Sequence, residues 1–349
     1  MSKIILFLLL LSSLKASAEE IPWYYDNPET AQKASINAKN LVIKVSKTPI
    51  IIAVIDSGVN SDHPSLKGKV VGGYDMVSSE INPRGTRSPN YFPDTQHTKC
   101  PATNEENAAN INHGTEVASV IAGNGVFDVK GVNASARILS VRSVGPCEAN
   151  YKDLIDSLWW SAGIHVEGVP DNLTPAKIIN ISMAGGKTHC SNDLQEAIDQ
   201  VIAKGILIVS SAGNTFGKAA QEPSICKGVI GVGSVNPDKS LAFYSPKDPR
   251  ILIYAPGGGK NMPLSNNIVN RIRIATYDED IFGNLEPVGE DKGMGTSYSS
   301  PMVAGILADI IQYNLALPHE IIEKISNNIS LDPELNYRIM NYEKLVHQP

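Results

Sequence analysis

The sequence has no marked excess of either charge, no long apolar run beyond its N-terminus and only four cysteines in 349 residues. Its 30 basic and 36 acidic side chains give a formal net charge of −6. The basic side chains are scattered, which argues against nucleic acid or an anionic membrane surface as a partner. No run of carboxylates and no set of cysteines has the spacing of a metal site. What remains is the composition of an ordinary globular protein, long enough for one large domain with a sizeable core.

The N-terminal region has the three parts of a secretory signal peptide. Lys3 gives the positive start, Ile4–Leu11 gives an apolar run, and Ala16-Ser17-Ala18 gives a small-residue cleavage site. The apolar run is too short to span a bilayer, and no cysteine follows it that could carry a lipid anchor. Residues 1–18 are therefore predicted to be removed. The mature protein is expected to be exported, to the outside or to the periplasm, without a membrane span.

Residues 19–48 separate the predicted cleavage site from the first predicted strand. They are too few to form a folded domain of their own, because so short a segment cannot bury an adequate core. We predict an arm that packs on the main domain, residues 49–349, with Trp23, Tyr24 and Tyr25 as its apolar anchors. A short propeptide that is cleaved off is the alternative.

The main domain alternates apolar β-branched runs with amphipathic stretches, which predicts an α/β fold with a mainly parallel sheet and helices on both faces. Strands are expected near residues 50–56, 136–142, 177–183, 205–211, 228–234 and 250–255. Helices are expected near residues 113–123, 151–165, 191–204, 298–313 and 318–328. Two turn-rich stretches, near 78–112 and 257–294, are predicted to be insertions. They either border a functional cleft or lie passively on the surface.

Three short segments carry the parts of a serine nucleophile system: an acid, an imidazole and a hydroxyl. Asp56 ends the apolar run Ile50–Ile55, so it is expected at the carboxyl end of a strand, where open α/β sheets place their sites. His113 opens one predicted helix, and Ser297 lies at the start of another. Free N–H groups and the helix dipole at such a start favour developing negative charge.

Nine sequence blocks between about Pro49 and Asn314 resemble the subtilisin-like serine peptidases in content and in order. The blocks are IIAVIDSGVNSDHPSL, NHGTEVASVIAG, KGVNASARILSVRSV, IINISMAGG, GILIVSSAGN, VIGVGSV, AFYSP, IYAPGGG and GTSYSSPMVAG. The resemblance implies a three-layer subtilisin-like fold and a serine endopeptidase. By matching position, Asp56 would orient the imidazole, His113 would be the general base, and Ser297 would form an acyl-enzyme.

The resemblance also implies the rest of a substrate site. Asn214 matches the family's oxyanion-hole asparagine. One segment would pair with the backbone of an extended peptide and form one wall of the specificity pocket: Ser182, Met183, Ala184, Gly185 and Gly186. Ala212 and Gly213 would form the other wall. The implied substrate is a protein or peptide, and the chemistry needs no cofactor and no catalytic metal.

The chain departs from the family pattern at three informative positions. Glu116 stands where the family often has a second histidine, and the simplest interpretation is a solvated or locally paired acid. Tyr298 stands where a methionine is common. Ser65 stands where many relatives have an aspartate that ligates calcium, so a structural calcium ion is possible but not indicated.

Four cysteines in an exported protein suggest two disulfides, and three connectivities are open. We favour Cys190–Cys226 together with Cys100–Cys147. The first pair follows two of the matched segments, where it could brace the rim of the specificity pocket.

The same residues are also compatible with other functions. A catalytically silent or partner-gated binding protein would keep the fold, with the two insertions closing the cleft. An esterase or a peptide ligase would use the same acyl-enzyme. A processing enzyme inside a secretion or envelope assembly would use the arm or the insertions as docking surfaces. The intact set of Asp56, His113, Ser297 and Asn214 favours the endopeptidase.

Overall fold

The computed structural model describes residues 22–29, 34–42, 48–78, 112–145, 149–259, 270–279 and 285–347. The predicted signal peptide lies outside the described residues, as do most of the first insertion and the predicted pair Cys100–Cys147.

The described residues contain nine strands and seven α-helices. The strands are β1 Ile51–Asp56, β2 Val70–Asp75, β3 Arg137–Arg142, β4 Ile178–Ile181, β5 Leu207–Ser211, β6 Ile230–Val235, β7 Ile253–Pro256, β8 Ile272–Glu279 and β9 Leu285–Gly293. The helices are α1 Lys39–Val42, α2 His113–Ala122, α3 Tyr151–Ser161, α4 Asn192–Ala203, α5 Thr296–Gln312, α6 Ile321–Asn328 and α7 Tyr342–His347. None of the described helices is both long enough and apolar enough to cross a bilayer.

The central sheet has seven parallel strands in the order β2-β3-β1-β4-β5-β6-β7. Strands β1, β4, β5 and β6 are buried along nearly their whole length, as expected for a parallel sheet that is covered on both faces. Because β1, β4 and β5 are neighbours, their carboxyl ends lie side by side. Residues that follow these three strands therefore meet at one edge of the sheet.

The two faces of the sheet carry separate hydrophobic cores. Helices α2 and α5 pack on one face, against alternate residues of β1 such as Ile52 and Val54. Helices α3 and α4 pack on the other face, against Ala53 and Ile55. This alternation follows from the period of two along a strand. The predicted three-layer α/β arrangement is therefore confirmed.

The predicted strands and helices lie within a few residues of those observed, but the short helices α1 and α7, strand β2 and the β8–β9 hairpin were not predicted. Strand β2 was not predicted, because Gly72 and Gly73 interrupt its apolar pattern at the edge of the sheet. Helix α3 ends at Ser161 rather than near residue 165. Gly163, with a φ of 67°, turns the chain away from the helix just beyond that end.

The described part of the second insertion contains strands that its turn-rich sequence does not predict. Its described part forms an antiparallel hairpin of β8 and β9, which packs on α2. The apolar side chains of β8 that face the core, Ile272 and Ile274, alternate as in a half-buried strand. The sequence pattern missed the hairpin because β9, LEPVGEDKG, has four charged residues, a proline and two glycines, and so lacks the apolar pattern of a strand.

The described part of the arm packs against the main domain. Tyr24 and Tyr25 are buried in the core on the α2 side of the sheet, and Trp23 is partly buried against it. The Tyr25 hydroxyl donates to the carbonyl of Val120 in α2, and the Tyr24 hydroxyl accepts from the backbone N–H of Arg273 in β8. The predicted anchors thus contact α2, the helix that begins at His113, and β8, which packs on α2.

Candidate active site

Asp56 and His113 meet at the carboxyl end of β1. Asp56 is buried, and the His113 Nδ1 lies 2.9 Å from its Oδ1 and 3.0 Å from its Oδ2. The backbone N–H of Ser57 donates to Asp56 Oδ1, and the N–H of Gly114 donates to the Ser57 hydroxyl. These bonds fix the carboxylate and the start of α2 relative to each other.

The contact with Asp56 determines which nitrogen of His113 carries a proton. A carboxylate only accepts, so Nδ1 is the donor and Nε2 is left as the basic nitrogen of the neutral ring. Burial opposes a positive charge on His113, but the charge and hydrogen bond of Asp56, with a further contribution from Glu116, outweigh it. The pKa of His113 is therefore raised above its ordinary value. The side chain keeps 21% of its surface exposed, so the ring is accessible to a substrate.

Ser297 lies in the first turn of α5, and a neighbouring segment holds that turn in place. Pro301 has no N–H, so it cannot donate to the carbonyl of Ser297, as the residue four positions later normally does in a helix. The Ser182 hydroxyl donates to that carbonyl instead, at 2.9 Å. The segment after β4 thus fixes the start of the helix that carries Ser297. No hydrogen bond joins the Ser297 hydroxyl to His113 in the described part of the chain, a contact that is often long before substrate binds.

The Asn214 carboxamide is oriented by Thr296. The N–H and the hydroxyl of Thr296 both lie 3.1 Å from Asn214 Oδ1, and a backbone N–H only donates, so Nδ2 faces away from them. A Cβ built on Gly295 would lie 3.1 Å from Ser297 Oγ and 3.3 Å from Asn214 Nδ2. Glycine keeps this space open, and the hydroxyl and the amide border it together. A substrate carbonyl placed there would face both groups.

The two predicted pocket walls lie close together. Residues 182–186 follow β4, and Ala212-Gly213 follows the neighbouring strand β5. A Cβ on Gly213 would lie 3.2 Å from the Cβ of Ala184 and 2.9 Å from Gln221 Oε1. Residues 184–186 are exposed, so their backbone is accessible to an extended peptide.

A buried carboxylate that the sequence did not reveal, Glu222, anchors the first wall. The N–H of Gly185 donates to the Glu222 carbonyl at 2.8 Å. Glu222 Oε2 accepts from the backbone N–H and the hydroxyl of Ser191 and from the Tyr151 hydroxyl. Its Oε1 lies 3.8 Å from Lys187 Nζ. These partners are 31 to 71 residues away along the chain, so no local pattern marks Glu222.

A disulfide joins Cys190 to Cys226, the pairing that we favoured from the sequence. It lies between the end of the first wall and the residues that follow Glu222, and it closes a loop of 36 residues. Both the carboxylate of Glu222 and this disulfide connect the first wall to the chain segment after Gly213.

Glu116 is buried rather than solvated, so that part of the simplest interpretation is wrong. Its Oε2 accepts a hydrogen bond from the Tyr298 hydroxyl at 2.6 Å, and its Oε1 accepts one from the Thr276 hydroxyl at 3.0 Å. The partners come from α5 and β8, and both are distant in sequence. The acid is thus paired across the fold, with β8 and with α5.

The residues near Ser65 do not fit a calcium site. The Ser65 hydroxyl donates to the carbonyl of Val126 at 2.8 Å, and its N–H donates to His63 Nδ1. His63 is fully buried, and its Nε2 faces the carbonyls of Thr276 and Val288. Within the described ranges, no group of three or more His, Cys, Asp or Glu side chains could hold a metal ion.

A sequence model of the subtilase family matches residues 47–339. The chain belongs to the subtilase family. This subtilase is 35% identical over 276 residues to the extracellular basic protease of Dichelobacter nodosus, covering 75% of the chain and 43% of that protein. It is 29% identical over 289 residues to the extracellular protease of Xanthomonas campestris, covering 79% of the chain and 46% of that protein. The chain thus spans about half the length of these two curated relatives.

Solved structures of other proteins share the fold of this subtilase. A protease from Pseudoalteromonas arctica superimposes with a TM-score of 0.76 at 28% identity, covering 93% of this chain and 96% of that one. Fervidolysin from Fervidobacterium pennivorans, a keratinolytic enzyme related to subtilisin, has a TM-score of 0.65 at 22% identity, covering 93% of this chain and 47% of that one. The likeness to fervidolysin concerns the fold alone.

Proposed function

We propose that this subtilase is an exported serine endopeptidase that cleaves peptide bonds through an acyl-enzyme on Ser297. One observation carries the proposal. The paired Asp56 and His113 lie at the sheet edge to which β4 and β5 also lead, and Ser297 Oγ and Asn214 Nδ2 border a common open space beside Gly295. The names of the two curated relatives, both extracellular proteases, support export and proteolysis.

The reaction follows from the donors and acceptors at this edge. The His113 Nε2 accepts the hydroxyl proton of Ser297 while Oγ bonds to the peptide carbonyl carbon. The carbonyl oxygen, now negatively charged, accepts hydrogen bonds from Asn214 Nδ2 and from the Ser297 N–H at the start of α5. Asp56 stabilises the imidazolium, which then donates its proton to the departing amine. Water repeats the sequence on the acyl-enzyme and releases the carboxylate product.

The substrate in this proposal is an extended peptide. The exposed backbone of residues 184–186 would pair with the main chain of the peptide, independent of its side chains. The side chain at the cleaved position would lie between Ala184 and Gly213. Ala184 has a small, uncharged side chain and Gly213 has none, which favours an apolar or small residue there.

The proposal includes the organisation of the chain. Residues 1–18 would be a cleaved signal peptide, residues 19–48 an arm that stays attached, and residues 49–349 the peptidase domain. The family match from residue 47 supports the domain boundary, and the buried positions of Tyr24 and Tyr25 support a retained arm.

The nucleophile can be identified by chemical labelling. Purified mature protein is treated with a fluorophosphonate probe, and the modified residue is found by peptide mass spectrometry. We expect modification of Ser297, and we expect Ser297→Ala to lose both labelling and peptide hydrolysis while its thermal unfolding is unchanged. Ser330→Ala, which alters an exposed serine, is the matched control and should behave like the wild type. A folded wild-type protein that is not labelled would refute the endopeptidase and favour the binding-protein alternative.

A further inference from the structure

Glu116 is a buried carboxylate next to the candidate site, and it has no role in the proposed reaction. It lies on α2 three residues after His113, so both side chains are on the same face of the helix. Only 4% of its surface is exposed, and each of its oxygens accepts a hydrogen bond, from Tyr298 and from Thr276. A buried carboxylate is costly unless it is paired in this way.

Tyr298 connects this carboxylate to both reacting residues. It directly follows Ser297 on α5, and its ring lies against the His113 ring with centroids 5.8 Å apart. Its hydroxyl donates to Glu116 Oε2 at 2.6 Å. This hydrogen bond therefore joins α2 to α5 close to His113, which carries the imidazole, and to Ser297, which carries the hydroxyl. It also holds the aromatic ring that packs against the imidazole.

The charge of Glu116 acts on His113 as well. The titratable groups that face His113 are Asp56 from β1, Glu116 from its own helix and Tyr298 from α5; Lys292 of β9 interacts with Glu116. Burial and the nearby Glu116 raise the pKa of Tyr298 far above its ordinary value, so its hydroxyl stays protonated and keeps donating. Glu116 therefore places a second negative charge near the imidazole, in addition to Asp56.

We propose that Glu116 and Tyr298 act as one positioning unit for His113. The hydrogen bond holds the Tyr298 ring against the imidazole, and the carboxylate favours the imidazolium that forms during the reaction. The inference rests on the proposed peptidase function and deepens it. Neither residue touches the reacting atoms in this scheme, and both act through His113.

The test is a double-mutant cycle with Glu116→Gln and Tyr298→Phe, measured as kcat and as the pH profile of kcat/KM on a peptide substrate. The acid limb of that profile reports the loss of a proton from His113. Removing the charge of Glu116 lowers the pKa of His113, so in Glu116→Gln the limb should move to lower pH by about half a unit. Tyr298→Phe keeps the aromatic ring and leaves the charge of Glu116 in place, so the acid limb of its profile should not move to lower pH. In each variant kcat should fall about tenfold, and the double variant should lose no more than the worse single one.

A second buried tyrosine–carboxylate pair provides the matched control. The Tyr342 hydroxyl donates to Asp309 Oδ2 at 2.7 Å, also on α5 but about 18 Å along the helix from Ser297. Asp309→Asn and Tyr342→Phe should lower the unfolding temperature without changing the pH limb or kcat.

Three results would overturn the inference: a limb that stays in place in Glu116→Gln, losses that multiply in the double variant, or a wild-type kcat in Tyr298→Phe. Tyr298→Phe removes a single oxygen, and its kcat decides between the outcomes if Glu116→Gln does not fold. Fluorophosphonate labelling of the wild type at Ser297 tests the peptidase function separately. If the wild type is labelled and these variants behave like the controls, only the positioning role fails.

Discussion

The direction in which the Asn214 amide points depends on the residue just before the nucleophile. Thr296 donates twice to Asn214 Oδ1, which leaves Nδ2 directed at the space beside Ser297 Oγ. An amide in this position is held before any substrate arrives, so it does not have to reorganise when negative charge develops. Such preorganised donors are often the largest single contribution to acyl-transfer catalysis.

Replacing Asn214 by alanine is expected to lower kcat by about 10²–10³-fold, because one oxyanion donor contributes about 2.7–4 kcal/mol to the transition state. KM should change little, since the full negative charge is absent from the bound substrate. Steady-state kinetics on a chromogenic peptide measure both constants. Thr296→Val is the matched control, because it keeps the backbone donor that orients Asn214 and should lose far less. An unchanged kcat in Asn214→Ala would exclude the amide from the reaction.

A site residue could be predicted from the sequence where the residues that mark it lie close to it along the chain. Asp56, His113 and Ser297 each lie in a short segment with a distinctive strand or helix context, so the sequence predicted them together. Glu116 and Tyr298 are 182 residues apart, and each was recognised only as an isolated departure from the family pattern. That the two departures are hydrogen-bonded to each other follows from the packing of α2 on α5, which no local pattern contains.

At the scale of elements, the predictions missed the strands that lack a continuous apolar pattern. Strands β1 and β4 are apolar except for Asp56 and Asn180, because the parallel sheet is covered on both faces, and they were predicted within a few residues. The β8–β9 hairpin was missed because the charged residues, proline and glycines of β9 leave it without an apolar pattern. Its position is set by contacts across the fold: the Ala275 N–H donates to the Ser119 hydroxyl, and the Thr276 hydroxyl donates to Glu116.

The Cys190–Cys226 disulfide should stabilise both the fold and the first pocket wall. A closed loop of 36 residues is expected to contribute about 3–4 kcal/mol through the reduced entropy of the unfolded chain. Cys190→Ser/Cys226→Ser should lose that free energy of unfolding in urea denaturation. Its KM for peptides should rise, because the bond braces the segment that carries residues 184–186.

The single variant Cys190→Ser separates the bond from the substituted side chains. It already opens the loop, so it should lose nearly as much free energy of unfolding as the double variant. If both variants unfold at the same urea concentration as the wild type, the disulfide has no stabilising role. A loss of stability without any change in KM would show that the disulfide stabilises the fold but does not brace the pocket.

At the scale of the whole molecule, the arm and the C-terminal segment pack together beside the core. The Tyr342 N–H donates to the carbonyl of Ile36 at 2.8 Å, and Ile36 is fully buried. Tyr25 is also buried and contacts α2 through Val120. The three-layer fold was predictable from alternating strands and helices, whereas the burial of residues before the first strand depends on this long-range packing. The aromatic run at residues 23–25 was the only local feature of the sequence that predicted this burial.

If the arm is part of the folded protein, Tyr25→Ala should reduce the free energy of unfolding by about 3–5 kcal/mol, as for other large buried aromatic side chains. Tyr25→Phe is the matched control. It keeps the ring and loses only the 3.4 Å hydrogen bond to Val120, which should lower the free energy of unfolding by about 1 kcal/mol or less. Urea denaturation of the mature protein measures both changes, with an intact-mass measurement of the same sample to locate its N-terminus. We expect a start at Glu19. A start beyond about Lys44, with Tyr25→Ala as stable as the wild type, would show that residues 19–48 are a cleaved propeptide.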